Sequence, residues 1–396
     1  MTDVIHHPID QAAVDAVAHR IDGELRALRR DINRHPELAG HERRTAAAVA
    51  RQLAAAGLTV TTGVGGHGVV GVLEGRRPGR TVAYRADMDA VSAGEQFPEG
   101  SETAHVCGHD IHTTVGVGAA RVLAKLRDRL RGTVVFFFQP AEEALEGARA
   151  MLAEGVLERY GPREIHAMHC GPMPAGTFAV TPNSGLPGLD RGTVTLTGPD
   201  AAERARHLAA ELAGLSTVSL PETPDDLERL VADILTPDGP LARFVWMNAW
   251  AGEPRADGSV EVGVFYRCWP EERHAEVRRE VTRLSGAYGD AVVAFPDDPF
   301  PALVCPEADA RELERHLRRS MGDDAVAVAY AAAPFNGEDF ALFIDRVPGT
   351  YTYLGVRRPG ESVESSMPHQ AVFDPDERAV GFGVRAMAGW LAARAA

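Results

Sequence analysis

Between Ala104 and Thr114 the chain reads Ala-His-Val-Cys-Gly-His-Asp-Ile-His-Thr-Thr, so one cysteine and three histidines fall within the eight residues from His105 to His112. Cys107 and His109 are two apart, with Gly108 between them. In a strand-like or tight-loop backbone, residues i and i+2 point to the same side. The glycine lets the chain turn closely around whatever both side chains face. Thiolate and imidazole are donors that a borderline-soft divalent metal takes. A buried cysteine among core histidines would give the same letters, so the question is whether further donors stand elsewhere. Glu142-Glu143 follows an apolar run and Pro140. Such a pair is either a solvated turn or a division of labour, in which one carboxylate binds metal and its neighbour stays free as a proton shuttle. His169 reads as a core histidine or a ligand, His369 as an exposed loop residue or a ligand, and Asp87 and Asp89 as turn caps or supporting carboxylates.

The elements that must position these residues follow from periodicity. Val14, Val17, Ile21, Leu25 and Leu28 make one apolar helical stripe over 12–30. A helix is expected over 45–56, stopping at Gly57, and a glycine-rich hairpin over 58–73. A buried strand over 81–84 runs into Arg85-Ala86-Asp87-Met88-Asp89-Ala90. A helix over 113–130 is followed by an apolar strand over 133–138, then by a helix reaching 157. A short strand over 164–168 delivers His169 at its end. Strands alternating with helices imply an α/β fold, a mixed, largely parallel sheet with helices on both faces. In such sheets the site lies beyond the carboxyl ends of the strands. The clusters Asp87/Asp89, Glu142/Glu143 and His169 each follow a separate strand.

Around Gly192 the texture changes. An edge strand over 193–197, helices over 200–213 and 224–235, strands over 241–250 and 259–269, a helix over 271–285 and a strand over 291–295 make a small α+β unit. It reads as an insert, 191–297, within a catalytic unit formed by 1–190 and 298–396. After 298 a helix is expected over 311–320, a strand over 325–330, a helix opening at Asn336-Gly337-Glu338-Asp339-Phe340, a strand over 350–355 and a closing helix over 377–393.

The 396 residues suffice for two domains. A net charge of −15 argues against nucleic acid or an anionic membrane as partner. Residues 1–10 lack a cationic flank followed by an apolar run, and no stretch reaches the ~18 apolar residues of a membrane span. The four cysteines, 107, 170, 268 and 305, are too sparse for a disulfide scaffold, so a cytoplasmic setting that keeps Cys107 reduced is expected.

In order along the chain stand Arg85-Ala86-Asp87-Met88-Asp89-Ala90, Cys107-Gly108-His109-Asp110, Gln139-Pro140-Ala141-Glu142-Glu143 with Gly147-Ala148, His169, Gly337-Glu338-Asp339-Phe340, and His369 ahead of Phe373-Asp374-Pro375-Asp376-Glu377. This set resembles the amidohydrolase branch of the aminoacylase/carboxypeptidase-G-like metallohydrolases, which includes hippurate hydrolase, auxin-conjugate hydrolase and N-acetyldiaminopimelate deacetylase. The resemblance covers roughly 20–190 and 300–390. It implies a di-metal exopeptidase-like catalytic domain with a lid or dimerisation insert. It implies two divalent ions, zinc or manganese, with cobalt or nickel as alternatives. Cys107, His109, Glu143, His169 and His369 would be the ligands, Glu142 the general base, and Asp89 a carboxylate that orients a ligand. Five ligands, one of them shared, plus a bridging water would give each ion four positions.

The insert departs from the family. Relatives carry Gly-Gly-His-Ala-x-x-Pro-His after its first strand, and that histidine helps hold the oxyanion, commonly across a dimer. Here Gly198 is followed by Pro-Asp-Ala-Ala-Glu-Arg-Ala-Arg-His-Leu, and His207 is the histidine nearby. The arginine expected in the third strand falls at Tyr266, with Arg267 one residue later, and a one-residue shift changes the face of a strand. Gly337, Tyr266, Arg267 and His207 are the expected substrate-binding residues, with Arg204 and Arg206 as further donors. The expected activity is hydrolysis of a small N-acyl amino acid or related N-acyl amine, with a homodimer open to the chain. A dipeptidase or aminopeptidase on the same scaffold, or a metal-retaining binding protein, are the competing readings.

Overall fold

The computed structural model describes residues 9–92, 103–289 and 291–396. Residues 1–8, part of the segment read for a leader, lie outside them. The chain divides into two compact units. Met1–Asn183, Cys305–Val328 and Leu342–Ala396 form the first, and Ser184–Val304 with Ala329–Ala341 the second. The expected insert, 191–297, falls inside the second unit, which also takes in a return segment beyond it.

The first unit is α/β, built on a mixed sheet of eight strands. Four neighbouring strands, Arg131–Gln139, Arg77–Asp87, Ile165–Pro174 and Gly349–Arg357, run parallel. The hairpin Thr59–Val64 and Gly68–Glu74 adds antiparallel strands on one side. Phe178–Val180 joins antiparallel on the other side and carries Val326–Val328 parallel to itself. Strand Arg131–Gln139 explains the layering. Val134, Phe136 and Phe138 pack into a core with helices Gln11–Asn33, His109–Lys125 and Arg378–Arg394. Phe137 points the other way, to Tyr160 and Phe343, with ring centroids at 6.1 and 5.9 Å. Alternate side chains of a strand face opposite sides, so an all-apolar strand needs helices on both.

Helix His109–Lys125 is the middle of this core, with every residue from His109 to Ala120 buried. Its glycines permit close approach. A Cβ on Gly118 would lie 2.3 Å from Val384 Cγ2 and 2.9 Å from Leu25 Cδ1, on the two helices packed against it.

Several expectations need correction. The helix expected over 113–130 instead spans His109–Lys125, opening directly after Gly108, which takes a left-handed φ of 92° in the tight-loop form of the Cys-His stretch. No single helix runs from Glu143 to Leu157. A tight turn, with Ala141 and Leu145 at φ 51° and 55°, precedes two short helices, Gly147–Ala153 and Val156–Tyr160, split by Gly155 at φ 72°. His169 lies inside strand Ile165–Pro174 rather than at its end. The helix expected to open at Asn336 is only the short Ala341–Ile344.

The second unit holds an antiparallel sheet ordered Phe244–Ala251, Val260–Trp269, Asp190–Leu196, Val292–Ala294. The strand expected at an edge, 193–197, is therefore an inner one, paired on both sides. Val194, Leu196, Val262 and Val264 alternate onto one face and pack with Ala205, Leu208 and Leu212 of helix Ala201–Ala213 and with Val277 and Val281 of helix Arg273–Gly286. No helix among the described residues is long and apolar enough to cross a membrane.

Gly118→Val is expected to lower stability by about 1–3 kcal/mol, the usual cost of overpacking a dense core, because the added carbons enter space already held by Val384 and Leu25. Chemical denaturation measures it, and an unchanged midpoint would show that the three helices part without cost.

Candidate active site

The carboxyl ends of the parallel strands deliver the chemistry. In register, Asp87 pairs with Gln139, and Tyr353 with His169. Asp87 and Asp89 are fully buried. Asp89 Oδ1 receives His109 Nδ1 at 3.2 Å, its carbonyl oxygen lies 3.0 Å from the same nitrogen, and Oδ2 accepts the Glu143 N–H at 2.9 Å. One carboxylate thus holds an imidazole and the loop that carries the paired glutamates.

With Nδ1 so engaged, His109 presents Nε2 to the interior. That atom is buried and has no hydrogen-bond partner among the described residues. Around it stand Glu142 Oε2 and Glu143 Oε1, each at 3.7 Å, and Asp87 Oδ2 at 3.8 Å. Glu143 Oε1 is also 3.6 Å from His369 Nε2. Donor atoms of Cys107, His109 and Glu143 lie within 4.8 Å of one another, as do those of His109, His112 and His169. These gaps are too long for hydrogen bonds. They suit atoms sharing a cation, since two donors about 2.1 Å from a tetrahedral ion stand about 3.4 Å apart.

The histidines sort by their other nitrogen. His169 Nδ1 donates to the Cys170 carbonyl at 2.8 Å, leaving Nε2 uncommitted by that bond. His112 has both nitrogens used: Nε2 accepts the Cys170 N–H at 2.8 Å, so Nδ1 carries the proton and donates to Asp87 Oδ1 at 2.7 Å. No lone pair of His112 is left for a metal, although its ring lies 4.4 Å from that of His169. His369 is half-buried in a loop with φ 67°. A non-glycine residue there stores about 1–3 kcal/mol, and its N–H is tied to the Val106 carbonyl at 2.8 Å, beside Cys107.

Electrostatics agree with a donor set built for positive charge. Burial pushes His169 well below the usual imidazole range, helped by the His112 ring, and pushes His369 down to about 4, helped by His109. Both therefore keep neutral, lone-pair-bearing rings. Burial would do the same to His109, but Asp87 and Cys107 outweigh it and raise its proton affinity. Burial pushes the Cys107 thiol up to about 12. Burial also opposes ionisation of Asp87, yet His109, Arg85 and His112 hold it well below the usual carboxylate range. Arg85 Nη1 reaches Asp87 Oδ2 at 2.5 Å and its Nε donates to Gln139 at 2.8 Å. An imidazole nitrogen without a hydrogen-bond partner among the described residues, set among buried carboxylates and a buried thiol, fits a divalent cation.

The expected ligands Cys107, His109, Glu143, His169 and His369, with Glu142 and Asp89, all belong to the first unit, and contacts link them as described. Four expected substrate residues belong to the second. There Tyr266 is fully buried, its hydroxyl 2.7 Å from Asp190 Oδ2 and 3.2 Å from the His274 carbonyl, and Arg278 takes the same carboxylate. Tyr266 is a core tie rather than a substrate residue. His207 and Arg206 are exposed on helix Ala201–Ala213, and Arg204 bonds the carbonyls of Thr197 and Tyr288. Arg267 lies on the opposite sheet face from Tyr266. Its Nη1 donates to the Pro187 carbonyl at 3.3 Å and would be 2.5 Å from a Cβ on Gly337, so Gly337 makes room for this guanidinium. The Arg85–Asp87–His112 chain went unread in the sequence. Its signal was the spacing of His109 and His112, three apart and so neighbours on one helical face.

The sequence pattern of peptidase family M20/M25/M40 matches residues 83–393. The chain belongs to this family. The Synechocystis sp. protein named "Probable hydrolase sll0100" is 30% identical over 375 residues, covering 90% of this chain and 92% of its own. The N-acetylcysteine deacetylase of Bacillus subtilis is 28% identical over 361 residues, covering 89% of this chain and 92% of its own. The crystal structure of the Bacillus subtilis YXEP protein, described as a dinuclear metal binding peptidase from the M20 family, aligns with a TM-score of 0.72 at 26% identity, covering 95% of this chain and 99% of that one.

Asp89→Ala is expected to weaken divalent-metal affinity about 10- to 100-fold, the usual cost of removing the partner that orients a ligand. Calorimetric titration of the metal-stripped M20-family chain with zinc or manganese measures it, and unchanged affinity would separate Asp89 from metal binding.

Proposed function

We propose that the chain is a metal-dependent amidohydrolase that cleaves the amide bond of an N-acyl amino acid or a related small N-acyl amine. The observation that carries the reading is the pair Glu142 and Glu143, each with an oxygen 3.7 Å from the His109 nitrogen that has no hydrogen-bond partner among the described residues. Cys107, His109, Glu143, His169 and His369 would hold two divalent ions, zinc or manganese first and cobalt or nickel as substitutes. Bound there, such ions lower the pKa of water toward about 7 and polarise a carbonyl oxygen.

The chain's own residues do the rest. Asp89 keeps Nδ1 of His109 protonated and its Nε2 open, and positions the backbone of Glu143. Glu142 accepts the proton of the water that attacks the amide carbon and returns it to the nitrogen of the leaving amine, yielding a carboxylic acid and a free amine. Its near-complete burial strengthens its interaction with the charge that develops. Names of relatives support the substrate class: one is an N-acetylcysteine deacetylase and others are N-acetyldiaminopimelate deacetylases. The peptidase description of the Bacillus subtilis structure supports a second reading, cleavage of dipeptides on the same scaffold.

The same reading gives the second unit, with Arg267 and Gly337, the task of recognising substrate as a lid or dimerisation unit, and is compatible with a homodimer. It places the chain in the cytoplasm, a setting supported by four cysteines that are all free thiols.

Glu142→Gln is nearly isosteric but cannot take the water's proton. Turnover on the best substrate from a metal-supplemented screen of N-acyl amino acids and dipeptides is expected to fall about 100- to 10,000-fold, with metal content unchanged. A variant that keeps most of its rate removes Glu142 as the base. Arg267→Ala is expected to lower kcat/KM roughly 10- to 150-fold, the worth of about 1.5–3 kcal/mol for a hydrogen bond to a charged group. A change within threefold would take Arg267 out of substrate recognition.

A further inference from the structure

The segment His35-Pro36-Glu37-Leu38-Ala39-Gly40-His41-Glu42 has no part in the proposed donor set, yet it ends in a fully buried glutamate. A single oxygen of that side chain, Glu42 Oε1, accepts two backbone N–H groups, Gly40 and Ala141, each at 2.8 Å. The other oxygen, Oε2, is buried with no hydrogen-bond partner among the described residues.

Burying a carboxylate in this way is costly, so the helix that follows would be the ordinary explanation. It does not account for Glu42. The side chain makes no cap hydrogen bond to helix Arg43–Ala55. That end is served by Glu37, whose carboxylate accepts the N–H groups of Arg44 at 2.9 Å and Thr45 at 2.8 Å and the Thr45 hydroxyl at 3.0 Å. Glu42 instead reaches a residue 99 positions away.

The target is the residue before Glu142. Ala141 sits at φ 51°, a left-handed conformation that costs a non-glycine residue. The turn it opens is closed by its own carbonyl, which accepts Glu146 N–H at 3.2 Å and Gly147 N–H at 3.1 Å, and by the Glu142 carbonyl, which accepts Leu145 N–H at 2.7 Å. These bonds fix the far side of the turn. Glu42 fixes the near side, at the amide that leads into Glu142. The same segment also holds the strand end: the Glu37 carbonyl accepts Ala90 N–H at 2.8 Å, and Leu38 bridges Ala90, next to Asp89.

We infer that Glu42 is a positioning residue for the hydrolytic site, an acceptor that pins the Ala141 amide and so aims the Glu142 carboxylate. This rests on the reading of Glu142 as the general base. A displacement of about 1 Å at a reacting group can cost 100-fold in rate. Loss of the acceptor therefore lowers kcat more than it raises KM.

Two readouts test it on the full-length, metal-loaded chain, with Glu42→Ala and Glu42→Gln compared. Glutamine keeps an acceptor oxygen of the same reach. In Glu42→Ala, hydrogen exchange at the Ala141 amide is expected to speed up at least tenfold, and kcat to fall about 100-fold, with KM within threefold and two ions per chain by elemental analysis. Glu42→Gln is expected to restore both protection and kcat to within about fivefold of the parent. Should Glu42→Ala fail to fold, Glu42→Asp, shorter by one methylene, withdraws the acceptor and is expected to give the same exchange and kcat losses. Unchanged Ala141 exchange, or kcat held in the folded Glu42→Ala or Glu42→Asp variant, overturns the inference, as does Glu42→Gln being as slow as Glu42→Ala. The exchange readout does not depend on turnover. An active Glu142→Gln would therefore sink the base assignment without altering it.

Discussion

Asp89 has no exposure to solvent, and its two carboxylate oxygens serve two different parts of the chain: one meets the His109 ring, the other the backbone of Glu143. Residues 20 and 54 positions away are thereby brought to one point. The Asp89 carbonyl, 3.0 Å from the same ring nitrogen, adds to the hold on the imidazole. Glu142 and Glu143 stand 3.7 Å from Nε2 of the ring held in this way. The strand ends supply the positions, and this carboxylate supplies the aim.

Holding so many ionisable groups in the interior is unfavourable unless each is matched. The protein matches most of them internally. Arg85 neutralises Asp87 and the His112 ring donates a hydrogen bond to it, and Asp110 is met by Arg29 at 2.6 Å and Asn33 at 2.9 Å. Close to one another lie His109 Nε2, the paired glutamates, a buried thiol and two imidazoles kept neutral by burial. This grouping of donors is what the proposed cation site rests on.

The second unit follows a different logic. Its alternating strands give one face to two helices, and the apolar residues there leave Tyr266 and Asp190 as an internal tie. Its other sheet face carries the buried Arg267 against Gly337, two residues far apart in the chain whose packing is possible only because one has no side chain.

The donor types of the proposed site were legible before any fold was known. Cys107, His109, Glu143, His169 and His369 are donor types, and chemistry restricts such residues more tightly than packing does. The α/β architecture was legible too, because an apolar strand such as Arg131–Gln139 followed by helices has few ways to bury both faces. Sequence also implied that Tyr266 and Arg267 could not serve the same face, since neighbours in a strand point apart. Which of them was committed to the core depended on pairing: Tyr266 meets Asp190 across the ladder, and only that register places the hydroxyl on the carboxylate. In the same way His112 has the letters of a ligand, and its exclusion required knowing that Cys170 N–H and Asp87 occupy its two nitrogens. Residue type and spacing determine what a side chain is able to bind. The partner that has already taken its lone pair comes from a distant strand, and only the tertiary structure decides which one that is.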